Sequence, residues 1–270
     1  MRVFCWLPLL LLSVGAAGQA AHAPLRLSLS GSTTMAPLMR EVARRFHARH
    51  PEVAVEVSLG GSATGISDVR QGKSDIGMVS RILLDSERDL RAISIVRDGV
   101  ALIVHKDNPV TALSDQQLRD IYLGKIGNWR QVGGRDAPIH VLAGSPDGGS
   151  AEMIGQYLRL PFDQIRAERR VAANADRLAA VVADPLAIIW ISLGEAERNA
   201  RGGMPVKLLS VGGVAASSKS IRDGNYPISR PLNLVTRDLP SGAARTFIEF
   251  CVSSQITEIA LALGFVPYLD

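Results

Sequence analysis

The sequence predicts an α/β protein of two lobes joined by two crossing segments. Three observations carry this. The segment from Leu25 to Val79 repeats strand, Gly/Ser turn and helix, the pattern of a mostly parallel sheet flanked by helices. Val96 to His105 is a longer apolar strand, ended by Lys106-Asp107-Asn108-Pro109, and reads as the first crossing. Tyr226 to Thr236 reads as a strand pair crossing back. The chain then leaves its first lobe near residue 105 and returns near 228, which is hinge architecture suited to closure on a ligand.

The elements follow in order. Leu25, Leu27 and Leu29 alternate with Arg26, Ser28 and Ser30, a strand period. After Gly31-Ser32-Thr33-Thr34, apolar Met35, Leu38, Met39, Val42, Ala43 and Phe46 recur at helical spacing. That helix ends before His50-Pro51, because a residue preceding proline avoids the helical region. Val53, Val55 and Val57 form a second strand, Ala63 to Gln71 a short helix, and Asp75 to Val79 a third strand. Ser114 and Gln117 have capping-box spacing at the start of a helix over Asp115 to Leu123. Gly124 to Gly134 is a loop with Trp129 packed inward. Ile139 to Ala143 is a strand, Ala151 to Leu160 and Ala175 to Ala183 are helices, and Ala187 to Ile191 is a buried strand. Ser241 to Ser253 and Thr257 to Leu263 close the chain as helices.

Arg2, the apolar run Leu7 to Val14 and the small-x-small site Ala21-His22-Ala23 read as a secretory signal peptide over residues 1–23. The apolar run is too short to span a membrane, and no later one approaches that length. No cysteine follows the cleavage site to carry a lipid. Removal of the leader takes Cys5 with it and leaves Cys251 alone, without an intrachain disulfide. Phe247, Ile248 and Val252 around it point to a buried thiol. The formal net charge of +4 favours small anions but is too weak for nucleic acid. At 5% aromatics, an aromatic box for sugars or bases is not expected.

Three junctions share one chemistry: Ser30-Gly31-Ser32-Thr33-Thr34, Gly60-Gly61-Ser62-Ala63-Thr64 and Gly148-Gly149-Ser150 each precede a helix. A helix start leaves amide N–H groups unpaired and carries partial positive charge. Glycine admits close approach, and Ser or Thr adds a hydroxyl donor. Two such junctions in the first lobe and one in the second, facing one cleft, suit a tetrahedral oxyanion.

These segments resemble the periplasmic phosphate-binding proteins of ABC transporters. Gly31-Ser32-Thr33-Thr34-Met35-Ala36-Pro37-Leu38 is similar to their first anion loop, and Gly60-Gly61-Ser62 to their second. Ser74-Asp75-Ile76-Gly77-Met78-Val79-Ser80-Arg81 resembles the strand and loop that lead into the ligand. Gly127-Asn128-Trp129 with Val132-Gly133-Gly134 resembles the Asn-Trp loop of the second lobe, and Tyr226 to Leu232 the returning crossover. The matches keep family order from about residue 26 onward. The resemblance implies a type II two-lobed periplasmic binding fold, with lobe 1 over residues 24–104 and 229–270 and lobe 2 over 105–228. It implies a monomer in the periplasm that captures inorganic phosphate and delivers it to a membrane permease, with no cofactor, metal or nucleic acid. Carried over, Thr33, Thr34 and Ser62 match anion-contacting loops. Ser32, Gly149 and Ser150 join them as donors, and Arg81 as a charge-assisted one.

Two departures stand out. Ser80 occupies a position that is Asp in well-known phosphate binders, where the carboxylate accepts the proton of a protonated phosphate and repels sulfate. The second-lobe pattern of Ser-Arg, two variable residues, then Gly-Ser-Gly-Thr-Arg is here Gly144-Ser145-Pro146-Asp147-Gly148-Gly149-Ser150-Ala151-Glu152. Ser145 replaces its first Arg, Ala151 its Thr and Glu152 its last Arg. A binder or sensor of sulfate, molybdate or phosphonate is therefore the alternative. A secreted hydrolase is a remoter one. Gly60 to Thr64 lacks the final Gly of a nucleophile elbow, Gly72-Lys73-Ser74 lacks the first Gly of a phosphate loop, and no His-Glu-x-x-His occurs.

Overall fold

A computed structural model describes residues 24–268. The expected signal peptide lies outside the described residues. The chain runs β1 (Leu25–Gly31), α1 (Ala36–His47), β2 (Val53–Leu59), α2 (Ser62–Arg70), β3 (Ile76–Val79) and the long β4 (Arg91–His105). It continues through β5 (Ala112–Leu113), α3 (Asp115–Tyr122), β6 (His140–Ala143), α4 (Gly149–Leu158), β7 (Arg169–Arg170), α5 (Asn174–Ala183), β8 (Ala187–Ser192) and α6 (Leu193–Arg201). Then come β9 (Val206–Leu208), β10 (Ser210–Val211), α7 (Ser218–Arg222), β11 (Ser229–Thr236), α8 (Gly242–Cys251), α9 (Thr257–Ala262) and β12 (Val266–Pro267).

The main sheet has strand order β2-β1-β3-β11-β4-β8-β6-β7, with β9 and β12 also paired to β4. β1 is parallel to β2 and β3, and β11 runs antiparallel between β3 and β4. β4 is common to both halves. Its residues from Arg91 to Gly99 pair with β11, and those from Val100 onward pair with β8 and β9. The change of partner thus falls inside β4, a few residues before the expected boundary after residue 104. The return segment is one strand rather than a strand pair: Tyr226 lies outside any strand, and Pro227 and Ile228 form a turn ahead of β11.

Each half has its own core on both sheet faces. In the first, α1 buries Leu38, Met39, Val42 and Phe46 against Leu29, Met78, Phe247 and Phe250. Cys251 lies in this core, where burial pushes its thiol pKa up. In the second, Trp129, Tyr122 and Trp190 pack with Leu118, Ile121 and Ile154. The Trp129 indole N–H donates to the Leu186 carbonyl at 3.0 Å, so its polar atom is satisfied inside. The Ser114 capping box forms: its hydroxyl accepts from the Gln117 amide at 3.2 Å, and the Gln117 side chain accepts from the Ser114 amide at 2.9 Å.

Candidate functional site

Between the halves lies a cavity of about 230 Å³. Four helices start at it. The turn ahead of α1 brings Ser32, Thr33 and Thr34, α2 brings Ser62, α4 brings Gly149 and Ser150, and α5 brings Asn174 and Arg177. Ser80, at the end of β3, completes the first-lobe wall, while Ser145, Asp147 and Gly148 supply the second-lobe loop. The turn before α1 depends on Gly31, whose φ of +127° and close packing on the Met78 carbonyl exclude a side chain. The amides of Thr33, Thr34, Ser62, Gly149 and Ser150 find no acceptor among the described residues. This is what helix starts leave over.

The hydroxyls are held from behind. Ser62 Oγ accepts from the Ser80 amide at 3.1 Å and lies 3.3 Å from Ser80 Oγ. Beneath them, buried Arg230 donates to the Ser80 carbonyl (3.1 Å), Ser80 Oγ (3.4 Å) and Thr34 Oγ1 (3.3 Å). Its charge is met by fully buried Asp98 at 3.0 Å, which also accepts from the Gly194 amide at 3.2 Å. A hydroxyl that accepts from a guanidinium must aim its own hydrogen elsewhere, and for Thr34 the open direction is the cavity.

Seven of the eight residues expected from sequence line this cavity: Ser32, Thr33, Thr34, Ser62, Ser80, Gly149 and Ser150. Arg81 does not. Its guanidinium makes a bidentate pair with Glu87 (2.6 and 2.8 Å) and a further one with Glu152 at 2.5 Å. The physical reason is alternation: with Ser80 facing the cavity, the next side chain of an extended segment points away. Glu152, standing where the family pattern has arginine, therefore ties the second lobe to Arg81 of the first. Burial pushes the Glu152 carboxyl pKa up, and the Arg81 charge works against that.

Sequence reasoning missed Arg177, Arg230 and Asp98. Arg177 stands in the cavity wall, only 3% exposed. It donates to the carbonyls of Val171 (2.9 Å), Ala172 (2.8 Å) and Trp190 (3.4 Å), to Asn174 Oδ1 (3.3 Å) and to Ser150 Oγ (3.3 Å). Burial, and then the nearby Arg230 charge, push its pKa down to about 10, which leaves it cationic at neutral pH.

A paired-strand hinge, a cleft between two α/β lobes and converging donors define a two-lobed solute-binding protein. A PBP superfamily domain matches residues 18–255, and the chain belongs to that superfamily. Within it, the chain is similar to phosphate-binding proteins of ABC transporters. Phosphate-binding protein PstS of Bacillus subtilis (strain 168) is 29% identical over 252 residues, 90% of this chain and 81% of the relative. A solved structure from Clostridium perfringens, described as a phosphate ABC transporter substrate-binding protein with bound phosphate, superposes with TM-score 0.84 at 30% identity. It covers 90% of this chain and 99% of that one. An ABC-type phosphate transport receptor from Vibrio cholerae gives TM-score 0.71 at 29% identity over 89% of this chain and 99% of its own.

Proposed function

We propose that this chain captures inorganic phosphate in the cavity between its lobes and hands it to the membrane permease of an ABC transporter. The observation that carries the reading is the convergence of unpaired helix-start amides, together with hydroxyls, from both lobes on one cavity. Such donors replace the hydration shell of an oxyanion without needing a full charge at each contact. The relatives named for phosphate support the choice of anion. The protein acts by holding its guest: the Ser62 and Ser80 hydroxyls partner each other, and Ser80 also meets Arg230, not a base that would make either a nucleophile. Residues 1–23 direct export, and the mature chain works as a monomer in the periplasm.

Isothermal titration of the purified mature chain with phosphate tests this. Saturable heat at micromolar phosphate is expected; silence up to millimolar phosphate sinks the reading. One observation favours a second oxyanion. Ser80 presents a hydroxyl where a phosphate-selective site has a carboxylate, so sulfate meets no unpaired acceptor there. Titration in which sulfate matches phosphate would make the protein a general tetrahedral-oxyanion binder.

A further inference from the structure

We propose that Arg177 supplies the charge that neutralises the bound oxyanion, delivered from α5 instead of from the loop that precedes α4. This deepens the oxyanion reading above and rests on it. Three arginines are buried among the described residues: Arg81, Arg177 and Arg230. Arg81 is met by Glu87 and Glu152, and Arg230 by Asp98. Arg177 has five acceptors, and every one is neutral. The Glu195 carboxylate accepts from Asn174 Nδ2 at 2.8 Å and favours the Arg177 charge from beyond that amide, without pairing with it directly. A buried cation without a direct counter-charge is costly and persists where something compensates for it. The cavity that Arg177 lines is where an anion would do so.

The location fits the missing charge. Gly144 packs so closely on Arg177 that an added Cβ would lie 2.6 Å from its terminal nitrogen and 2.8 Å from the Trp190 indole nitrogen. The guanidinium thus sits against the loop where Ser145 stands in place of the family's arginine. Arg177 also donates to Ser150 Oγ at 3.3 Å, which leaves the Ser150 hydroxyl hydrogen for another acceptor. One side chain then provides the charge and orients a second donor. The class of ligand this selects is a fully or doubly ionised tetrahedral oxyanion, such as hydrogen phosphate or sulfate.

The test is titration of phosphate and sulfate into the mature wild type, Arg177→Gln and the double variant Ser145→Arg/Arg177→Gln. Loss of a charge-assisted contact is expected to weaken Arg177→Gln roughly ten- to hundredfold. The double variant, which returns the charge to the loop, is expected to regain most of that. A wild type that binds neither anion overturns the oxyanion reading itself. A wild type that binds, with Arg177→Gln binding equally well, overturns only the role of Arg177. So does a loss that Ser145→Arg fails to repair. Should Arg177→Gln not fold, Ser145→Glu in the otherwise native chain carries the question. Its carboxylate should raise the melting temperature of the ligand-free protein by pairing with Arg177 and abolish phosphate binding; an unchanged melting temperature with intact binding counts against the proposal.

Discussion

Gly149→Ala separates closure from folding. A Cβ at Gly149 would lie 2.9 Å from Ser62 Oγ, 2.9 Å from the Ser80 carbonyl oxygen and 2.9 Å from Ser80 Oγ. All three atoms belong to the opposite lobe, and each is held by a further bond, so none yields freely. Overpacking of this kind costs about 1–3 kcal/mol. Within its own lobe the change is benign: Gly149 opens α4, and alanine is favoured over glycine in a helix by up to about 1 kcal/mol. The penalty therefore falls on the closed arrangement alone. If donors from both lobes must meet on the guest, phosphate affinity drops roughly five- to hundredfold. The thermal midpoint of the ligand-free protein stays level or rises. Titration calorimetry and ligand-free thermal denaturation read the two quantities separately. Wild-type affinity in Gly149→Ala would refute the claim that the lobes close on the anion, and a collapsed ligand-free midpoint would show that the contact supports folding instead.

Ser80→Asp should raise the phosphate-over-sulfate preference, since a carboxylate accepts the proton of hydrogen phosphate and repels sulfate. A charged hydrogen bond contributes about 1.5–3 kcal/mol, so competition titration should show a change of ten- to hundredfold; an unaltered ratio removes Ser80 from the selectivity argument. Asp98→Ala strands the buried Arg230 cation and should lower unfolding stability by about 3–5 kcal/mol in urea titration, with a loss below about 1 kcal/mol contradicting the pairing. For Glu87, burial pushes the carboxyl up, but the Arg81 bonds and the Leu84 amide outweigh it and hold the pKa below its ordinary 4.5. A lowered folded-state pKa means the unfolded chain takes the proton first as pH falls. Its stabilising contribution is thus complete above 4.5 and is lost as pH drops through the folded value. Urea midpoints measured through the acid range should fall there, and Glu87→Gln should flatten part of that slope; identical profiles for the two proteins would refute the assignment.

The parts of the fold that local chemistry dictates were legible in the sequence. The period of α1, the Ser114 box and the alternation of β1 and β2 each need only neighbours in the chain. The beginning of β4 was not, because Arg91-Ala92-Ile93-Ser94 is largely exposed and too short in apolar residues to show a strand period, and only pairing with β11 makes it a strand. α6 carries Glu195, Glu197, Arg198 and Arg201 around a small buried face, too little apolar signal to stand out beside the run of β8. At the site, the Gly/Ser/Thr turns were visible because they mark helix starts. Arg177 was hidden inside Asn174-Ala175-Asp176-Arg177, which has the polarity of a solvated first turn; the α5–β8 packing folds it inward. Arg230 follows the same logic, since its partner Asp98 is distant in sequence and adjacent only across the β4–β11 ladder.

That ladder has a mechanical consequence. The two strands that pass between the lobes are neighbours, with Ser229 opposite Gly99 and the Val100 amide bonded to the Ile228 carbonyl at 2.8 Å. Two independent tethers would let the halves swivel and twist, whereas a stapled ribbon bends mainly out of its own plane, like a strap rather than a pair of strings. A swing of the halves on such a strap would retrace one arc and return the Ser62 and Ser150 helix starts to the same mutual spacing. Fidelity in gripping a guest a few ångströms wide resides as much in that strap as in the groups that touch it.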